Sequence, residues 1–138
     1  MDRIETVIEE LRQLNEPVPQ PMSLPSERDV QALESRLGIT FPADYRTYLL
    51  KASDVVFGTL EPATVTEPGR HTHLPEVIFS ARECGVPESL LPFCEDNGDF
   101  YCLSRSGGVV FWSHNGPSNE RWPSLAMWIA RVWIEEHA

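Results

Sequence analysis

Cysteine and histidine side chains are the groups that could give this sequence metal-binding chemistry. Its three cysteines are Cys84, Cys94 and Cys102, and their spacing lacks the close Cys-x-x-Cys pair that is typical of zinc sites. The histidines that could complete such a site are His71, His73 and His114. Because an odd number of cysteines favours free thiols, we predict no disulfide framework, and because the paired-ligand spacing is missing we predict no bound metal.

A thiol–imidazole pair is the other chemistry that these residues allow. Cys94 and His114 could form a nucleophile with its base, although a cysteine on a strand can equally be a small buried apolar residue. The sequence contains no Gly-x-Ser-x-Gly, His-Glu-x-x-His or phosphate-binding glycine motif. We therefore favour a protein without catalytic residues or a cofactor. An enzyme or metal protein that uses Cys94, Cys102 and His114 is the alternative.

Three carboxylates surround a predicted tight turn. Glu95 and Asp96 precede the Asn97-Gly98 pair, and Asp99 follows it. The segment lacks the alternating ligands and the bidentate glutamate of a calcium-binding loop, so solvated charges beside a turn are one interpretation. The other is an anionic patch that meets arginine or lysine on a partner protein.

One tryptophan lies in a polar segment rather than in an apolar run. Trp112, Trp128 and Trp133 fall on patterns that predict core positions, whereas Trp122 has polar neighbours. Trp122 is therefore an interface candidate, with a lid over the edge of a sheet as the alternative. The predicted partner-binding residues are Asp54, Glu61, Glu95, Asp96, Asp99 and Trp122.

The elements that must position these residues begin with three helices. Apolar residues at helical spacing predict a first helix over residues 2–14, and a proline-rich extended connector follows it. This first helix could either be an appendage or dock onto the rest of the chain. Ser26 is the expected cap of a second helix that ends at Gly38, and Pro42 is expected at the first position of a third.

The middle of the chain changes its pattern. Residues 55–60 predict a short strand with a glycine break, residues 61–74 a loop, and residues 76–85 a helix. We divide the chain into residues 1–23, a helix with its proline-rich connector, and residues 24–138, an α+β domain.

An antiparallel meander is the clearest local prediction. The Asn-Gly pair between two apolar runs is the signature of a type I′ hairpin, because both central residues need positive φ. A second glycine turn leads to the apolar run at residues 109–112, which predicts an interior strand with both faces covered, and residues 124–137 predict a closing helix. Helices, then a meander, then a helix indicate an α+β fold with helices packed on an antiparallel sheet.

The charge balance bears on the kind of partner. The 138 residues carry a net charge of −10, which argues against general nucleic-acid binding and is compatible with a basic protein partner. No apolar run approaches the roughly 18 residues of a membrane span. The first residues lack a charged-then-apolar leader, so we expect a cytoplasmic protein.

The order of motifs resembles the SUKH superfamily, the SMI/KNR-like proteins. The first segments that carry the resemblance are Leu24-Pro25, the helix ending in Leu37-Gly38, and residues 41–50 with their Pro-x-x-Tyr-x-x-x-Leu pattern. The later ones are residues 85–93, 98–103 and 108–112, and the closing helix rich in tryptophan. Together they extend from about residue 24 to residue 134. One departure is the end of the third helix, where Lys51-Ala52-Ser53-Asp54 stands in place of the family's Asn-Gly-Gly-like turn.

This resemblance implies a non-enzymatic α+β domain that binds another protein. The superfamily is related to fungal cell-wall assembly regulators and to bacterial immunity proteins that neutralise polymorphic toxins, often nucleases. A cognate toxin is therefore the implied partner, and a regulatory adaptor of cell-wall-related signalling is the alternative role. A basic toxin would be attracted electrostatically to an acidic inhibitor.

Overall fold

The computed structural model describes residues 3–66 and 70–138. Asp2, at the predicted start of the first helix, and residues 67–69 of the predicted loop lie outside the described residues. The helices are α1 (Ile4–Leu14), α2 (Glu27–Leu37), α3 (Ala43–Ala52), α4 (Leu74–Glu83), α5 (Leu125–Trp128) and a terminal π-helix (Ile129–Glu136). The strands are β1 (Leu91–Asp96), β2 (Asp99–Leu103), β3 (Val109–Ser113) and β4 (Gly116–Trp122).

The four strands form one antiparallel sheet in the order β1-β2-β3-β4, which confirms the predicted α+β class. Asn97 and Gly98 join β1 to β2 with φ values of 51° and 90°, as a type I′ turn requires. Four consecutive residues of β2, Phe100–Leu103, are buried, so both faces of this strand are covered. The interior strand β3 is covered less completely than its apolar run predicts, because only Val109 is fully buried.

The ends of α2 follow the predicted capping chemistry. The Ser26 hydroxyl accepts a hydrogen bond from the Asp29 backbone N–H at 3.1 Å, and the Asp29 carboxylate accepts one from the Ser26 N–H at 3.0 Å. Gly38 then ends the helix in the left-handed conformation, at φ 67°. At α3, Pro42 is the cap itself rather than the first helical residue.

The first helix docks onto the rest of the chain. Its apolar stripe is buried in the common core. Beside this stripe, the Arg12 guanidinium donates to the Asp54 carboxylate at 2.7 Å and to the Lys51 carbonyl at 3.1 Å. The connector is bonded as well, since the Glu16 N–H donates to the Val56 carbonyl at 2.8 Å. The boundary at residue 23 stays a prediction.

Four predicted elements differ in the structure. Residues 55–60 form no strand, because only an isolated bridge joins Phe57 to Leu60. Helix α4 begins at Leu74, two residues earlier than predicted, because Pro75 fits the first turn of a helix. The polar segment that contains Trp122, for which the sequence predicted no strand, is the edge strand β4, and its largely exposed side chains explain the weak sequence signal.

The fourth difference is the closing helix, which becomes π-helical after its first turn. This C-terminal end is held by the segment that precedes Glu61. The Trp133 indole N–H donates to the Phe57 carbonyl at 2.9 Å, and the Thr59 N–H donates to the His137 carbonyl at 2.8 Å. Throughout residues 3–66 and 70–138, no helix combines the length and the apolar character that crossing a membrane requires.

Candidate protein-binding cleft

A polar cleft of about 420 Å³ brings together three of the six predicted partner-binding residues. Glu61, Glu95 and Asp96 line it together with two histidines, His71 and His137. The cleft therefore carries three carboxylates and no lysine or arginine in its described lining. We call it the acidic cleft.

Two separate parts of the chain position these carboxylates. Glu95 and Asp96 are the last two residues of β1, and the hairpin turn holds them at one end of the sheet. Glu61 reaches the same end because the Ala63 N–H donates to the Phe93 carbonyl of β1 at 2.6 Å. This contact ties the loop after Thr59 to the outer edge of the sheet.

Each carboxylate of the acidic cleft has a polar neighbour within the chain. Glu61 contacts the His71 imidazole, and the Glu95 carboxylate accepts a hydrogen bond from the Gly98 N–H at 3.0 Å. The Asp96 carboxylate accepts from the Asn97 side-chain amide at 3.3 Å. Glu61 and His71 remain largely exposed, with 61% and 76% of their side-chain surface accessible.

His137 forms the opposite wall of the acidic cleft. Its Nδ1 donates to the Val132 carbonyl at 2.7 Å, and its Nε2 lies 3.8 Å from the Asp96 carboxylate. The His137 backbone carbonyl also accepts a hydrogen bond from the Thr59 N–H, so this residue is held through both its main chain and its ring. The last residues of the chain therefore complete a site that begins near residue 59.

The other three predicted partner-binding residues lie outside the lining of the acidic cleft. Asp54 is engaged by Arg12, as described above. The Asp99 carboxylate accepts from both the backbone N–H and the ring Nδ1 of His114, each at 2.8 Å, and so ties the turn between β3 and β4 to the start of β2. Trp122 is half-buried, with its ring 5.8 Å from that of Tyr101.

The cysteines offer poor conditions for nucleophilic chemistry. Cys94 and Cys102 are fully buried, whereas Cys84 is exposed. Burial raises the pKa of the Cys94 thiol well above its ordinary value and raises the pKa of Cys102 to about 12, so both thiols stay protonated near neutral pH. His114 is paired with Asp99, and the described residues contain no group of three or more possible metal ligands.

His73 is a buried histidine at the start of α4. Its side chain is only 6% exposed, and its Nδ1 accepts a hydrogen bond from the Thr66 N–H at 3.4 Å. Burial lowers the pKa of this imidazole, so the neutral form is favoured. The Thr64 carbonyl accepts from the Leu74 N–H at 2.9 Å, which fixes the same junction.

Sequence reasoning missed the role of two residues of the cleft. It considered His71 only as a metal ligand and read His137 only as the end of a helix. His71 had a usable signal, since it lies ten positions after Glu61 in the same loop. His137 had none, because its place beside Asp96 depends on how the C-terminal helix docks.

Comparison with known proteins identifies the family of the chain. Residues 4–134 match the model of the SUKH family described as SMI1-KNR4 cell-wall. The chain belongs to the SUKH family. The resemblance drawn from the motifs is therefore confirmed, and membership supports a role of the immunity-protein or SMI1-like kind.

A solved relative has the same SUKH fold. This relative is a protein from Pseudomonas syringae pv. tomato whose crystal structure is known. Its sequence is 46% identical to this chain. The alignment has a TM-score of 0.89 and covers 94% of this chain and 97% of the other. No curated protein matches the chain.

Proposed function

We propose that this SUKH protein is a non-enzymatic immunity-type protein that neutralises a cognate toxin by stoichiometric binding. The observation that carries the proposal is the acidic cleft, where Glu61, Glu95 and Asp96 meet on a fold that the solved relative shares. The partner is a basic protein, for example a nuclease toxin. The family description favours one second candidate, a regulatory adaptor of cell-wall-related signalling.

The chemistry of the cleft supports recognition of arginine or lysine. Carboxylates at one site accept charge-assisted hydrogen bonds from guanidinium groups, and paired geometry with arginine is the strongest form of this contact. The net charge of −10 adds a long-range attraction that accelerates association with a basic protein. Salt screens this attraction, so the association rate should fall as ionic strength rises.

The enzyme alternative has weaker support from the side chains that would perform it. A nucleophilic cysteine needs a lowered pKa and access to substrate, whereas Cys94 and Cys102 are buried and have raised pKa values. The base that Cys94 would need, His114, has 67% of its side-chain surface accessible, whereas Cys94 is fully buried.

The test begins with capture of the partner from the native cell on the immobilised full chain. The captured protein is then purified, and its association rate is measured at low ionic strength. We expect a one-to-one complex in which the chain abolishes the toxicity of the partner when the two are co-expressed. A partner that stays toxic in the complex, or no stoichiometric complex at all, would contradict the proposal.

The carboxylates are tested with a charge-matched pair of variants. Glu61→Gln, Glu95→Gln and Asp96→Asn together remove three charges from the cleft, and we expect association to slow by about tenfold or more at low salt. The control triple has Glu5, Glu9 and Glu10, all exposed on α1, changed to Gln. If the two triples slow association equally, the cleft is not the binding site and only net charge matters.

A further inference from the structure

Helix α4 carries the most exposed aromatic side chain among the described residues. Phe79 is 67% exposed, and Leu24, at 41%, is the only other large apolar residue described as exposed. Burying a phenylalanine is worth about 2 kcal/mol, so a partner that covers Phe79 would gain binding energy there. Phe79 lies off the helix's buried side, which consists of Leu74, Val77 and Ala81.

Helix α4 lies between two depressions of the surface. Val77 lines the acidic cleft on one side, and Ile78 and Arg82 line a groove of about 830 Å³ on the other. The lining of this groove mixes polar side chains with apolar ones such as Phe41 and Leu91. Because successive helical residues turn by about 100°, Phe79 points away from the groove that Ile78 lines. It lies on the exposed face of α4 around Phe79, which we call the crest of α4.

The charge around Phe79 decides what can cover it. Glu76 and Glu83 stand three residues before and four residues after Phe79, so they flank it on the same exposed face. A second copy of the chain would bring these carboxylates against themselves, and both copies carry a net charge of −10. A basic surface with an apolar pocket would meet attraction at the same place.

We infer that the crest of α4 is part of the partner interface and that Phe79 is its apolar anchor. This inference rests on the proposed function and names the surface by which the same basic partner is held. The Phe79 ring enters an apolar pocket of the partner. Cationic side chains of the partner reach the acidic cleft beside Val77. Aromatic anchors surrounded by charged rims are the usual centres of binding energy in protein interfaces.

Photo-crosslinking in the native cell tests the place of contact. Phe79 is replaced with p-benzoylphenylalanine in the full chain, and Leu24 is replaced in the same way as the control. After irradiation we expect position 79, and not position 24, to form an adduct with the basic protein that co-purifies with the unchanged chain. An adduct with a second copy at twice 15.6 kDa, or no adduct at position 79, would overturn the inference.

The purified partner then gives the strength of the contact. Phe79→Ala should weaken binding by about 30-fold or more, whereas Leu24→Ala should change it less than about threefold. Thermal unfolding should show both variants folded, since both side chains are exposed. A partner that binds Phe79→Ala normally would overturn this inference and leave the proposed function intact. Failure of the unchanged chain to bind any partner counts against the proposed function itself.

Discussion

Substitution of Gly58 by alanine should destabilise the protein in two ways, through backbone strain and through a clash with His137. Gly58 has φ +61°, where an alanine is strained. Its added Cβ would also overlap the backbone carbonyl oxygen of His137 and lie 2.9 Å from the carbonyl carbon. That carbonyl accepts the hydrogen bond from the Thr59 N–H, so the clash falls on the contact that holds the C-terminus.

The expected magnitude follows from these two effects. The left-handed conformation costs an alanine about 1–2 kcal/mol. Displacing His137 adds about 0.5–1.5 kcal/mol for the lost hydrogen bond and about 1–3 kcal/mol for the steric adjustment. Gly58→Ala should therefore lower the free energy of unfolding by about 2.5–6.5 kcal/mol, a large share of the stability of an ordinary domain.

Gly38 provides a matched control for the strain alone. Its φ of +67° is nearly the same, and no heavy atom lies within 4 Å of the position that a Cβ would take. Gly38→Ala should therefore cost only about 1–2 kcal/mol. Urea unfolding measures both losses from the shift of the midpoint, provided that the slope of the transition stays unchanged. Equal losses for the two variants would refute the claim that Gly58 is needed for its contact with His137.

Two further predictions concern buried titratable groups. Because the pKa of His73 is lowered in the folded state, the unfolded chain binds the extra proton, so stability should fall as pH drops below about 6.5. Urea unfolding between pH 7.5 and 5.5 should show a smaller fall for His73→Asn, and an equal fall would contradict this reasoning. A thiol reagent at pH 8 should modify Cys84 rapidly in the folded protein and reach Cys94 and Cys102 only after unfolding. Rapid modification of all three thiols in the native protein would refute the burial of the two strand cysteines.

Local signals in the sequence predicted the parts of the fold that local chemistry determines. The Asn97-Gly98 turn and the Ser26 cap appear as expected, because each needs only a few neighbouring residues to form. Strand β4 was missed because an edge strand with one solvated side has little apolar pattern to detect. The switch to a π-helix after Trp128 has no sequence signal that we can identify.

Glu61, Glu95 and Asp96 were all predicted as partner-binding residues, but only the last two could be placed at one site from the sequence. Glu95 and Asp96 are neighbours in sequence, and their place beside a hairpin turn could be inferred. The approach of Glu61 depends on the bond between Ala63 and Phe93, which joins segments thirty residues apart. Asp54 was predicted to face a partner, but its carboxylate is 2.7 Å from Arg12 of a helix whose docking the sequence left open.

The contacts of these acidic residues distinguish those that stabilise the fold from those that are free to bind a partner. Asp54 holds α1, and Asp99 holds the turn at His114, so substitution of either should mainly lower stability. Glu61, in contrast, contacts an exposed histidine, and exposed ion pairs contribute only about 0–1 kcal/mol. Because so little is lost when Glu61 leaves His71, a partner's arginine can replace that histidine at small cost. The residues best suited to bind are therefore those whose present contacts the fold can most easily release.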